Sequence, residues 1–402
     1  MEQKTTVVVD DSRVRSVYYN GTFFDTNVPR EVTVSDALRI SRLFKTVVTY
    51  PKMPYDSSHW KNNKIFGLSA DVDKTSGFGN CSYNLIKYSR DAGFDVRWLG
   101  RALSTPELTT LGDSEILLDG AMVWHDQPRD SWLTSPFAKN IAIVPFETTK
   151  IPSSWVDKIN YFSALFVPCK QNIQMMRDSG VKVPIELIHW GVDEEKFYPL
   201  ERDNKIFTIG TMGALSYRKG TDILVEAFQK AFPPMYFPDV RLLCKTSYNV
   251  FPFMKKDKRI QVIQGQYDHD WMINEFAKKI DVFAFPTRGE GFGLTPLEMM
   301  ATGVPAIVTG WSGPEEYMNE DVGWKIEYDM EEATNFTNEI YKEYCGQWAK
   351  PKIDHLVEIL RHTYYNREDV LRKGKNAAEC VKENWLWKDK IQMYLAALDK
   401  HL

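Results

Sequence analysis

The stretch Arg288-Gly-Glu-Gly-Phe-Gly-Leu-Thr-Pro-Leu-Glu-Met-Met-Ala-Thr-Gly-Val-Pro305 decides the reading of this chain. Just before it, residues 281–286 (Asp-Val-Phe-Ala-Phe-Pro) make a short apolar run that reads as a buried strand, so the order is strand, glycine loop, helix. That order builds anion sites. Gly291 and Gly293 let backbone N–H groups come close to an anion, and a helix opening near Thr295 and Pro296 points the positive end of its dipole at the same place. Glu290 and Glu298 stand on the loop and one turn into the helix. Carboxylates do not bind phosphate, so their expected partner is something hydroxylated beside it, and a sugar nucleotide carries both parts.

Outward from this stretch the chain alternates strands and helices. Residues 65–69 read as a buried strand, 75–80 as a glycine-bearing turn, 83–92 as an amphipathic helix and 94–99 as the next strand, a βαβ unit that implies a parallel sheet. Further strands are expected at 121–124, 141–144, 164–167 and 185–188. The rhythm restarts at 206–213, where a strand again enters a glycine-bearing loop and a helix at 221–232; strands follow at 240–244, 260–263, 282–285 and 306–308. The expected fold is α/β, with two Rossmann-like doubly wound domains facing across a cleft that is the natural ligand site. Residues 1–62 read as a small extension: a hairpin from 5–9 and 14–19, then a helix at 35–44. The divisions expected are 1–62, 63–195 for the first domain, 196–375 for the second, and 376–402 as a C-terminal helix packing back on the first.

The 402 residues favour more than one domain, and 43% hydrophobic with 26% charged residues is ordinary for a globular protein with sizeable cores. A net charge of -4 argues against a globally basic nucleic-acid binder. Cys81, Cys169, Cys244, Cys345 and Cys380 are scattered without metal-ligand spacing and read as reduced thiols. No apolar run reaches membrane-spanning length and the N-terminal one is too short for a signal peptide, so a cytoplasmic location is expected, with peripheral membrane contact left open.

Four segments in order resemble the retaining, nucleotide-sugar-dependent glycosyltransferases of the two-Rossmann (GT-B) type, family 4-like, also called glycosyl transferases group 1. They are Thr75-Ser-Gly-Phe-Gly79; Trp190-Gly-Val-Asp193 with Phe197; Arg218-Lys-Gly220; and the stretch from Glu290 to Glu298 with Gly303 and Pro305. Residues 385–398 resemble the closing helix. The resemblance implies a metal-independent enzyme with no cofactor, whose co-substrate is a UDP- or GDP-sugar. It implies that Glu298 accepts hydrogen bonds from ribose hydroxyls, that Glu290 holds the transferred sugar, and that the amides of Phe292, Gly293 and Leu294, with Thr295, face the donor. Arg218 and Lys219 would neutralise the departing diphosphate. Many relatives carry a further arginine where this chain has Gly213-Ala214-Leu215, which leaves that clamp to Arg218 and Lys219, or to these with Lys245.

In the first domain the resemblance places Gly77 and Gly79 beneath the donor phosphate with Phe78 closing over it, and His125 at the floor of the site. Glu147, in Phe146-Glu147-Thr-Thr-Lys-Ile-Pro152, is an expected acceptor-side contact. Asp71 and Asp73 mimic a metal-binding pair of a different transferase fold, and the metal reading is rejected. The acceptor is expected to be a hydroxyl of a glycan or glycoconjugate. A less favoured reading takes the acceptor as a modified DNA base, because Arg13, Arg15, Arg30, Arg39, Arg42, Lys45 and Lys52 give residues 1–62 a local basic content. The remaining alternative is a non-catalytic module that binds sugar nucleotides.

Overall fold

A computed structural model describes residues 4–9, 16–19, 22–25, 30–33, 46–49, 65–69, 77–98, 116–119 and 139–401, except 215, 248–253, 255 and 268; all statements below concern these residues. They form two six-stranded sheets, each parallel throughout. The first runs β11-β10-β9-β8-β6-β7, from β6 (Ile65–Ser69), β7 (Asp95–Trp98), β8 (Ile116–Asp119), β9 (Lys139–Ile143), β10 (Ala164–Val167) and β11 (Ile185–Leu187). The second runs β14-β13-β12-β15-β16-β17, from β12 (Thr208–Met212), β13 (Arg241–Thr246), β14 (Ile260–Gln264), β15 (Val282–Phe285), β16 (Ala306–Thr309) and β17 (Gly323–Ile326). Every residue of β10, β12, β15 and β16 is buried, which is why these strands read as continuous apolar runs rather than alternations.

In each sheet the strand order reverses direction once, between β6 and β8 in the first and between β12 and β15 in the second. Ligands of open α/β sheets bind at such points, outside the carboxyl ends of the strands. The loop after β12 carries Arg218 and Lys219, and the loop after β15 carries Glu290. Helix α1 (Gly77–Asp91) follows β6 in the same position of the first sheet.

The chain crosses between the units twice, and the two crossings touch. Val192 pairs with Leu386 in a parallel bridge; its N–H donates to the Trp385 carbonyl at 2.8 Å, and its own carbonyl accepts from the Trp387 N–H at 3.0 Å. A Cβ at Gly191 would collide with the Trp387 backbone, so only glycine lets the strands come this close. The closing helix α8 (Trp387–Lys400) then packs on α1, with Tyr394 against Phe166 and Lys400 paired to Glu186 at 2.7 Å. Among the described residues no helix is long and apolar enough to cross a membrane.

Several expectations are corrected. The hairpin predicted from 5–9 and 14–19 does not form: β1 (Lys4–Val9) pairs with β4 (Arg30–Thr33) and β5 (Thr46–Thr49), while β2 (Ser16–Tyr19) pairs with β3 (Thr22–Asp25). The register Tyr19 to Thr22 leaves Asn-Gly as the two-residue connection, the sequence that tight hairpins favour, and that signal outweighs the Asp-Asp-Ser between the predicted strands. The strand next to β6 is Ile116–Asp119; the predicted 121–124, the helix at 35–44, Asp71, Asp73 and His125 lie outside the described residues. Helix α1 begins at Gly77, six residues before the predicted start, so Gly77 and Gly79 form its first turn instead of a loop ahead of it.

One element has no counterpart among the predictions. Strands β18 (Tyr328–Glu332) and β19 (Gln347–Pro351) form an antiparallel ribbon on the second unit, and residues 333–346 between them reach the first unit. Phe336 and Tyr341 of this arm meet Phe146, and Tyr341 also meets Trp155, in edge-on and tilted contacts at centroid separations of 5.5–5.9 Å. Phe146, Trp155 and Trp348 are at most 3% exposed. Each such ring contributes roughly 1.5–3 kcal/mol by burial, so this corner joins the units by several kcal/mol.

Candidate functional site

The loop from β15 to helix α5 (Leu294–Ala301) is held by its own backbone and by the loop after β12. The Arg288 N–H donates to the Arg218 carbonyl at 2.7 Å, and Arg218 Nη1 donates to the Gly289 carbonyl at 2.7 Å. Arg288 is 3% exposed and forks onto Asp222, 2.9 and 2.7 Å, while its Nε donates to Glu331 at 3.0 Å. A guanidinium buried this deeply is tolerable only with two carboxylates beside it. Arg288 is therefore the post on which the loop stands. At its far end Gly293 takes φ 85° as the residue before α5, where a Cβ would press on Tyr317, whose hydroxyl donates to the Gly293 carbonyl at 2.6 Å.

Glu290 projects from this loop, 8% exposed, and one oxygen takes two donors: Arg218 Nη1 at 2.9 Å and Lys219 Nζ at 2.5 Å. Glu147 of the first unit adds its carboxylate 3.5 Å from the same Arg218 nitrogen. Two cations and two carboxylates thus share one small volume across the two units. Burial pushes the Glu147 carboxyl up, Arg218 opposes this and Glu290 adds to it. Burial pulls Lys219 down against the attraction of Glu290. For Arg218, burial lowers proton affinity, but Glu147 and Glu290 more than offset it and the net shift is upward.

Ser312 carries the carbonyl of Glu290 from behind. Its hydroxyl donates to that oxygen at 2.6 Å, and the Gly313 N–H donates to it at 3.2 Å. Ser312 holds φ 65°, ψ -145°, a conformation that costs a non-glycine residue about 1–3 kcal/mol and persists only where its surroundings fix it. Gly313 has no room for a Cβ against the Phe292 backbone. Phe292 is 1% exposed, its ring enclosed between Trp190, Tyr317 and Trp385.

Glu298 lies on α5, and Asn80 in the first turn of α1 donates to its Oε1 at 3.1 Å across the gap between the units. Burial pushes this carboxyl up to about 7, with Lys196 and the Asn80 bond opposing the shift. Lys196 in turn sits 3.6 Å from Asp193, a 3% exposed carboxylate that also accepts from Tyr88 at 3.1 Å. The N-terminal turns of α1 and α5 therefore meet around Glu298, and both point the positive ends of their dipoles toward this place.

Of the residues singled out in the sequence, Arg218, Lys219, Glu290 and Glu147 form one cluster, and Gly77, Gly79, Gly293, Leu294, Thr295 and Glu298 gather at the two helix starts. His125 and the Phe78 side chain lie outside the described residues. Lys245, one residue before the end of β13, lies beside Gly213, half-buried and pulled down by burial, without a hydrogen bond from its side chain to the cluster residues. Asn80, Lys196, Tyr317 and the arm at 333–346 are additions that the sequence reading missed. Asn80 stood next to the quoted glycine turn; the others carry no local signal.

Residues 204–342 match the family described as Glycosyl transferases group 1. The lipopolysaccharide core biosynthesis mannosyltransferase LpsB of Rhizobium meliloti is 30% identical over 145 residues, 32% of this chain and 41% of that protein. The chain spans less than half the length of the curated relatives it matches. Among solved structures, a glycosyltransferase from Rickettsia africae superposes with a TM-score of 0.64 at 14% identity, over 85% of this chain and 99% of that one. Anabaena HepE, solved with UDP and glucose, gives 0.62 at 13% identity, over 84% and 99%. The fold is thus the two-Rossmann GT-B architecture, and residues 204–342 resemble the group 1 glycosyltransferases.

Proposed function

We propose that this protein is a retaining glycosyltransferase that moves a sugar from a UDP- or GDP-sugar to a hydroxyl of a glycan or glycoconjugate. The observation that carries the reading is the convergence of Arg218 Nη1 and Lys219 Nζ on Glu290, at the carboxyl ends of β12 and β15 where the strand order reverses. A diphosphate there meets two fixed cations, and Glu290, released from them, turns to the hydroxyls of the donor sugar. Glu298 accepts from the ribose hydroxyls, with the amides of Phe292, Gly293 and Leu294 and the starts of α1 and α5 around the phosphates. His125 follows β8 in sequence and is assigned to the floor of the site; Glu147 is assigned to the acceptor side.

The bond from the anomeric carbon to the diphosphate oxygen breaks, the acceptor oxygen bonds to the same face of that carbon, and the acceptor's proton passes to the leaving diphosphate. Double displacement would need a carboxylate free to attack. Glu290 is assigned to the hydroxyls of the donor sugar and Glu147 leans on Arg218, so neither is offered as the nucleophile, which favours same-face substitution. Catalysis is then positioning and charge stabilisation. The working divisions remain 1–62, 63–195, 196–375 and 376–402. A panel of UDP- and GDP-sugars tested by thermal shift, then for nucleoside diphosphate release, checks the reading: a selective shift with release supports it, and no shift from any nucleotide sugar overturns it.

A further inference from the structure

Residues 145–153 belong to the first unit by sequence, yet the second unit grips them from two sides. The donor loop lies on one side: a Cβ at Gly289 would collide with the Glu147 carbonyl, and one at Gly291 with Pro145. The arm at 333–346 lies on the other. Thr149 N–H donates to the Gln347 carbonyl at 2.8 Å, and the Gln347 N–H donates to Thr149 Oγ1 at 2.8 Å. Ser153 N–H donates to Glu343 Oε2 at 3.0 Å, and its hydroxyl reaches the same oxygen. Lys150 Nζ sits 5.4 Å above the Tyr344 ring. Beneath these polar ties the Phe146 ring is enclosed by Trp155, Phe336 and Tyr341.

We propose that residues 333–346 are a strap that keeps Glu147 beside Arg218 and Glu290 throughout the catalytic cycle, with Glu343 and Phe336 as positioning residues. The inference rests on the acceptor-side reading of Glu147 for its effect on rate, but not for its geometry. Two crossings join the units elsewhere, at Val192 and Leu386. With this corner also fastened, relative motion of the sheets is confined to rotation about a line through both junctions, and Glu147 lies close to that line. A carboxylate near the axis hardly moves when the cleft opens. The buried aromatic cluster is what makes the corner costly to part, and the exposed Ser153–Glu343 pair is what sets its register.

The test uses the full chain and the nucleotide sugar chosen by the panel above, with water as acceptor and nucleoside diphosphate release as the readout. The variant Ser153→Cys with Glu343→Cys removes the polar tie, and a short bifunctional methanethiosulfonate reagent restores it as a covalent bridge that dithiothreitol cleaves; the unsubstituted chain with the same reagent is the control. Release is expected to fall at least threefold in the unbridged variant, to recover on bridging and to fall again on reduction. Bridging that slows release further, reversibly, overturns the strap, because the corner would then have to open each cycle. A double-mutant cycle separates this from the reading of Glu147. Glu147→Gln should slow release about tenfold with the nucleoside diphosphate Kd unchanged, and Glu343→Ala should slow it less and add nothing in the Glu147→Gln background. Additive effects overturn the positioning role. If Glu147→Gln has no effect, the acceptor-side reading of Glu147 falls and the bridging result alone decides the strap.

Discussion

With Glu298 on the ribose, as proposed, the binding of a nucleoside diphosphate is expected to be sensitive to pH in the neutral range. Its carboxyl titrates near 7 in the free protein, because burial raises it more than Lys196 and Asn80 lower it. A carboxylate accepts hydrogen bonds from two ribose hydroxyls; the protonated acid must give up part of that acceptor capacity. Affinity therefore follows the ionised fraction, about one tenth at pH 6 and about nine tenths at pH 8 for a group titrating near 7. The Kd should be about tenfold weaker at pH 6 than at pH 8, equivalent to about 1.4 kcal/mol. Stability moves the other way. The folded value lies above the ordinary 4.5, so this group's contribution is fully present below pH 4.5 and is lost as pH rises to 7. That loss has an upper bound of about 3 kcal/mol. Glu298→Gln keeps an acceptor for Asn80 and cannot ionise. Calorimetric titration of UDP and GDP from pH 6 to pH 8 should show the tenfold slope in the native chain and a flat, weak profile in Glu298→Gln. The variant should also melt at a higher temperature than the native chain at pH 8. A flat profile in the native chain, or an equal slope in the variant, refutes the assignment of Glu298 to the ribose.

Three further outcomes are expected. Lys219→Ala should lower nucleoside diphosphate release by about 10²–10³-fold, the range for losing one fixed charge at developing negative charge, while far-UV circular dichroism stays native; near-native rates would remove Lys219 from the clamp. Arg288→Met leaves Asp222 and Glu331 without their shared cation and should cost about 3–5 kcal/mol in urea unfolding, whereas a loss under about 1 kcal/mol would show that the loop does not stand on Arg288. Gly289→Ala forces the donor loop away from the Glu147 carbonyl, and differential scanning calorimetry should show a clear fall in melting temperature together with slower release; unchanged melting would mean that the two units do not touch there in solution.

The parts of the fold that lie within one stretch of chain are legible in the sequence. β6, β10 and β15 begin and end at the predicted residues, and for β10 and β15 this is because strands buried on both faces are apolar throughout and flanked by polar or turn residues. The strand–loop–helix around Glu290 is legible for the same reason. What escapes is set by contact between distant residues. Asn80 meets Glu298 across 218 positions, and no periodicity announces that. β18, Tyr-Asp-Met-Glu-Glu, is polar and partly exposed, and β19, Gln-Trp-Ala-Lys-Pro, buries Trp348, Ala349 and Pro351 between polar residues, so the ribbon lacks the long apolar run that marked the other strands. Its arm is recognisable only by the first-unit aromatics it covers. The early start of α1 was missed because glycines argue locally for a turn, although a helix's first turn accepts them.

The bridge between Val192 and Leu386 has a consequence for how the molecule is made. Helix α8 completes the packing of α1 and β10, yet it is separated from β11 by roughly two hundred residues, which include the whole second sheet. During synthesis the second sheet, contiguous from β12 to β17, has every strand available before α8 emerges, while the first waits with Phe166, Leu85 and Ile86 uncovered. The earlier-made half is the later to finish, and a chain cut before Trp387 would keep a complete second sheet beside an unfinished first.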